Sequence, residues 1–284
     1  MKTKILKSSL LIAFGYVLFA ATAIAQTDST IVLQQGISGY TGCGDTYLDD
    51  GSSHYYENYG IDNDPNDWTK YRDIKVRYSS GSYDQWDSLI KFDLSGLPSN
   101  WNITSASLSL YYYDDSVMSS GDWLNVAVWP LMVDWDAGSG PHNGDDRSGA
   151  AWEYRKARPD DSGWYNAGAR GRGHDTDVDY DAVQTLTHNG FGWVTWDGTE
   201  VTNTVRDWYS GSRANDGWAV DNYGSSDTTN GVLFHSADYS ISPPDYQWRP
   251  KLTINYTVIP EPGTLSLLVL AALGFLLWHG NRKE

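Results

Sequence analysis

The chain has 284 residues, with 36 acidic against 20 basic side chains and a formal net charge of −16. A field of that sign repels nucleic acid and anionic membrane surfaces and draws cations. Cys43 is the single cysteine, which excludes an internal disulfide framework. The aromatics are 14 Trp and 20 Tyr against 6 Phe; their polar edges point to half-exposed ring positions as well as to core.

Residues 1–25 open with Lys2, Lys4 and Lys7, continue apolar from Leu10, and close on Ala23-Ile24-Ala25. A basic start, an apolar run and a small-x-small end read as a secretory signal peptide. Removing the +3 of this leader and the +1 of the last three residues leaves the body at −20.

Ile31–Gln34 predicts a first short strand, and Asp45–Leu48 a second after a glycine-rich turn. Ile61–Tyr71 is a polar insertion carrying Asp62, Asp64 and Asp67. It lacks the Gly and Glu that an EF-hand loop needs at its sixth and twelfth positions. Asp73–Tyr78 alternates and predicts a strand. The clearest pattern follows, in Ser88–Asp114. Ile90, Phe92 and Leu94 form one apolar face. In the second run, Ala106, Leu108, Leu110 and Tyr112 alternate with Ser105, Ser107, Ser109 and Tyr111. The turn residues Ser95–Asn100 lie between, so the two strands are expected to be antiparallel neighbours at the centre of the core.

Trp123–Leu131 predicts another strand, interrupted by Pro130. Asp134–Gly192 is long, polar and aperiodic, but Trp135, Trp152 and Trp164 recur through it, which argues for ordered loops rather than disorder. Gly192–Asp197 resumes strand. Val201, Val205 and Trp208 mark one face of a short helix near Thr199–Tyr209, with Gly211 as its stop. Trp218–Asp221, Val232–Ser236 and Pro250–Thr257 predict the closing strands. No repeat of 20–50 residues is present, against solenoids and propellers.

Pro260-Glu261-Pro262 precedes the apolar run Leu265–Trp278, and Arg282-Lys283-Glu284 close the sequence. Read physically, this is a weak C-terminal membrane anchor with a cytoplasmic basic end. It resembles the PEP-CTERM sorting signal. That resemblance implies export from a Gram-negative, exopolysaccharide-producing cell, transient inner-membrane anchoring, and processing by signal peptidase and an exosortase.

The stretch LIKFDLSGLP followed by ITSASLSLYYY resembles DNRLRE-type domains, secreted β-sandwiches akin to carbohydrate-binding modules. The likeness continues in order through Asp45-Thr46-Tyr47, Asn58-Tyr59-Gly60, Trp164 with Gly168-Ala169 and Asp175, Val205-Arg206-Asp207-Trp208 with Gly211, Asn215-Asp216-Gly217-Trp218, Phe234-His235-Ser236 and Arg249–Tyr256. Where such domains carry Asp-Val-Thr, this chain has Glu200-Val201-Thr202, with Asp197 three residues earlier. The resemblance implies an all-β, antiparallel jelly-roll β-sandwich with one short helix. The expected organisation is a signal peptide at 1–25, the sandwich at 26–257 and a hydrophobic sorting helix at 258–284. Related sandwiches hold a structural Ca²⁺, for which Asp45, Asp175 and Asp197 are the candidates.

No G-x-S-x-G elbow, HExxH motif or phosphate loop occurs, and the six histidines are scattered. The many carboxylates still allow a pair for glycoside hydrolysis, so a polysaccharide-degrading enzyme stays as a less favoured reading. Because the module resemblance fills the body of the chain and such modules are accessory, the expected function is non-catalytic: a cell-surface or biofilm-matrix protein that binds exopolysaccharide through Trp123, Trp152 and Trp164. A structural matrix protein or adhesin without glycan binding is the alternative. A glycan binder should line solvent-facing Trp or Tyr along one sheet face or loop rim, which a structural protein need not do.

Overall fold

A computed structural model describes residues 28–51, 73–80, 85–115, 117–138, 148–157, 160, 162–226, 229–239, 245–259, 270–275 and 278. The leader, the Ile61–Tyr71 insertion, the Asn58-Tyr59-Gly60 turn and Pro260-Glu261-Pro262 lie outside them. The described chain is mostly antiparallel β. Its strands are β1 (Asp28–Gln34), β2 (Cys43–Asp49), β3 (Asp73–Ser79), β4 (Trp86–Phe92), β5 (Trp101–Asp114), β6 (Trp123–Pro130), β7 (Ala182–Thr187), β8 (Gly192–Asp197), β9 (Trp218–Ser225), β10 (Thr229–His235) and β11 (Lys251–Val258). One helix, α1 (Thr199–Ser210), follows β8.

The strands form one curled sheet in the order β1-β11-β5-β10-β3-β4-β9-β6-β7, with β2 added to β4 and β8 to β5. Between β3 and β4 the ladder narrows to one pair, Arg77 with Trp86. On one side of that narrow join lie β1, β11, β5, β8, β10 and β3; on the other lie β2, β4, β9, β6 and β7. Inward side chains of both sets meet in one buried cluster that includes Leu108, Leu110, Phe234, Ile90, Phe92, Val126 and Trp218. Trp196 of β8 donates its indole N–H to the Val126 carbonyl of β6 at 2.9 Å, fastening one set to the other.

β5 follows its sequence pattern: Ala106, Leu108, Leu110 and Tyr112 are buried, while Ser105, Ser107 and Tyr111 are half-exposed. The expectation that β4 and β5 are neighbours is corrected. β5 pairs with β8, β10 and β11, and β4 with β2, β3 and β9. Each has an apolar face, and these faces pack against each other through the core rather than edge to edge.

Helix α1 buries Val201, Val205 and Trp208. Thr202 Oγ1 donates to the Gly198 carbonyl and accepts the Ala106 N–H, tying the first turn to β5. Gly211, in the left-handed region at φ 73°, ends it by donating its N–H to the Trp208 carbonyl.

The segment between β6 and β7 has isolated bridges in place of strands. It is ordered by a second buried cluster: Trp135, Trp152, Trp164, Ala150 and Ala169 pack on Leu48, Leu89, Ala127 and Ala219. β4 is therefore buried on both faces, Ile90 and Phe92 on one and Leu89 and Asp87 on the other.

The chain divides into two compact units, 30–97 with 103–255, and a smaller one drawn from 1–29, 98–102 and 256–284. In the smaller, Trp101 stacks on Tyr256 with centroids 3.6 Å apart, and the Ile259 N–H donates to the Asn100 carbonyl. Among the described residues no helix is long and apolar enough to cross a membrane.

Candidate functional site

Along β6, Leu124, Val126 and Val128 point into the main core, so Trp123, Asn125, Ala127 and Trp129 take the opposite face. On one side Trp123 and Asn125 stand opposite Thr187 and Thr185 of β7. On the other, the register with β9 shifts between Asn125 and Val126, whose partners are Gly224 and Asn222. Tyr223 is the extra residue, and a bulge of this kind re-aims a side chain; Tyr223 is 53% exposed.

The result is an aromatic shelf. Trp123 is 37% exposed and its ring lies beside Gly224, where an added Cβ would stand 4.0 Å from it. Tyr223 meets Tyr180 at 4.8 Å and Trp129 at 5.9 Å, and Tyr180 meets Trp129 edge-on at 5.3 Å. Thr185 Oγ1 donates to Asn125 Oδ1 at 2.7 Å, fixing the amide between the rings. The backbone of Trp123 is clamped as well: its N–H donates to Ser226 Oγ, and its carbonyl accepts from the Ser226 N–H and from Asn230 Nδ2.

Beneath the shelf lies a charged girder. Arg172 sits 3.5 Å over the Trp129 ring and pairs with Asp221, which also accepts the Trp129 indole N–H at 2.7 Å. Arg170 grips Asp87 with two bonds of 2.5 and 2.8 Å. Burial pushes both carboxyls up, and the guanidiniums oppose it. Rings held this way meet a ligand with little side-chain entropy left to lose.

Of the sequence-predicted aromatics, the structure places Trp123 on this shelf and Trp152 and Trp164 elsewhere. Both of the latter are buried, at 8% exposure. Trp164 donates to the Ala151 carbonyl at 2.9 Å, and Trp152 packs so closely on Gly168 that a Cβ there would fall 2.6 Å from its ring. The physical reason is that a polar segment without strands must assemble its own apolar cluster to stay ordered, and these tryptophans are that cluster. Sequence reading missed Tyr223 and Tyr180. The one signal for Tyr223 is the adjacent Gly224, since glycine in a strand often marks a bulge.

The three aspartates named for calcium are not brought together. Asp175 is buried and its carboxylate accepts the N–H groups of Tyr165, Asn166 and Gly171 at 2.8, 2.9 and 3.0 Å. Asp45, also buried, accepts the Ala237 N–H; burial pushes its carboxyl up, and Asp238 pushes it further. Asp197 is exposed at the end of β8, opposite Ser107. Among the described residues no group of three or more His, Cys, Asp or Glu is placed to hold a metal ion. The set does not fit one calcium centre, and Asp175 has the work of a loop organiser.

No family model matches the chain, and no curated protein matches it.

Proposed function

We propose that this is a non-catalytic exported protein of the cell surface or extracellular matrix that binds exopolysaccharide on the Trp123–Tyr223 shelf. In this reading the curled sheet is a jelly-roll sandwich of the DNRLRE type. The ends are a leader removed by signal peptidase and a PEP-CTERM-type tail that anchors the chain transiently in the inner membrane until an exosortase acts.

The observation that carries the binding reading is that Trp123 of β6 and the bulge residue Tyr223 of β9 are both exposed on the outer side of these neighbouring strands. Sugar rings present flat C–H faces that stack on aromatic rings, and their hydroxyls need neutral partners of the kind Asn125, Thr185 and Thr187 offer. The body's charge of −20 favours uncharged chains over polyuronates.

The test is native-gel retardation by embedded hydroxyethyl cellulose, laminarin and polygalacturonate. Wild type is expected to be retarded by a neutral polymer. Replacing Trp123→Ala and Tyr223→Ala together weakens that retention by about 10-fold, on the scale of roughly 0.5–1.5 kcal/mol for each aromatic stacking contact, with the melting temperature unchanged. Equal retention of the double variant would count against the shelf. No retention of wild type by any of the polymers would favour the structural or adhesin role.

A further inference from the structure

The larger unit has a second outward face that the shelf does not use. On β5 the outward residues run Ser105, Ser107, Ser109, Tyr111. β8 sets Asp197 beside Ser107, Thr195 beside Ser109 and Trp193 beside Tyr111. From the other flank Asn255 of β11 donates its amide to Ser105 Oγ at 2.8 Å, and Lys251 holds its ammonium 3.8 Å over the Trp193 ring.

At the Ser105 end this face opens into a polar cavity of about 530 Å³, walled by Thr104, Ser107, Asp197, Thr202, Arg206 and Asn255. At the other end stands Trp193, 39% exposed and edge-on to Tyr111 at 5.5 Å. Between them Ser109, buried at 4% exposure, shares a hydrogen bond of 2.9 Å with half-buried Thr195, so the middle of the face is a closed polar floor. From Ser105 to Tyr111 the strand rises about 20 Å at roughly 3.3 Å per residue. The face is thus a straight lane of hydroxyls and amides, roomy at one end and closed by an aromatic ring at the other.

We infer that this lane is a second glycan-binding site, which takes an extended, uncharged polysaccharide chain and makes the protein bivalent. The inference rests on the glycan-binding reading above. The polar groups of the cavity end match the hydroxyls of a sugar unit, and Trp193, 39% exposed with Lys251 over one face of its ring, offers its other face for stacking. Arg206 and Lys251 against Asp197 leave the lane at about +1, a local charge that the −20 of the body outweighs for a polyanion. The two faces also look in opposite directions. The residues alternating with the lane, Leu108, Leu110 and Trp196, and those alternating with the shelf, Leu124, Val126 and Val128, fill one core between them. A straight chain on one face cannot reach the other, so two occupied faces join two chains.

The experiment mixes the purified protein with hydroxyethyl cellulose and laminarin and reads turbidity beside gel retardation. Three variants are compared, each checked for an unchanged melting temperature: Trp193→Ala with Asn255→Ala; Ser107→Trp, which blocks the lane by bulk; and Trp123→Ala with Tyr223→Ala. Wild type is expected to give turbidity that peaks near equivalence and clears in protein excess. Each variant loses at least about 10-fold of that turbidity yet still shows retardation through its intact face. Turbidity as strong as wild type in both lane variants would overturn the second site. So would complete loss of retardation in the shelf variant, while leaving the first site standing. Absence of retardation in wild type itself would remove both.

Discussion

Asp87 lies wholly buried under the two bonds from Arg170. Removing one partner of such a pair strands the other, at a typical cost of about 3–5 kcal/mol. Arg170→Met is expected to lose stability on that scale near pH 7. The loss shrinks near pH 5, where the carboxyl, already pushed up by burial, takes a proton; urea unfolding at both values reads the difference. Asp181 acts in the same direction alone. Burial pushes it up to about 6, against the hydrogen bonds from Trp218 Nε1 and Thr204 Oγ1. Its unfolded value is about 4. The folded chain therefore binds more protons between about pH 4 and pH 6, and the stability this adds below about pH 4 is lost as pH rises through about 6. Asp181→Asn should flatten the melting temperature across that window relative to wild type. Asp175 is different in kind: three backbone N–H groups converge on it. Asp175→Ala is expected to cost about 1–3 kcal/mol, because it leaves the buried Gly171 N–H without its acceptor.

At the scale of elements, the β6–β7 segment and β9 show what the sequence could and could not reveal. β5 was legible because one face meets core and the other meets solvent, which writes a period of two into the residues. β4 shows no clean alternation in its environment, because the tryptophan-ordered segment covers its outer face and buries Leu89 and Asp87. Nothing within seven residues announces a cover contributed from eighty residues away. The same gap explains Trp152 and Trp164: a tryptophan in a polar segment reads alike whether it orders that segment or meets a ligand. Tyr223 was hidden by its bulge, which breaks the alternation used to assign faces. Two substitutions test these elements. Trp164→Ala is expected to cost about 3–5 kcal/mol by the usual scale for a buried Trp, with the segment becoming the first site of limited proteolysis. Gly217→Ala should be as damaging for another reason. Gly217 opens β9 at φ 79°, and a Cβ there would fall 2.2 Å from the Ile90 carbonyl oxygen. Both the left-handed backbone and the neighbouring strand oppose it.

For the whole molecule, the charge of −20 on the body sets the electrolyte response. Retention by neutral polymers is expected to change little between about 10 and 150 mM NaCl. Retention by polygalacturonate should be weak at low salt and rise as the Debye length shortens from about 30 to 8 Å. A polyuronate held best at low salt would mean that local cations outweigh the net field. The connectivity has a further effect, on time rather than on equilibrium. Ser88 lies beside Val220, Arg77 opposite Gly231, and Thr30 is bonded to Asn255. Almost every ladder joins parts of the chain that are synthesised far apart, and all-β domains dominated by such pairings fold in milliseconds to seconds rather than microseconds. Until β9, β10 and β11 have emerged, β3, β4 and β5 each lack one of their flanking strands. The newly made polypeptide therefore passes through a stretch of its life as an extended, threadable chain, and the fold closes only when its last strands arrive.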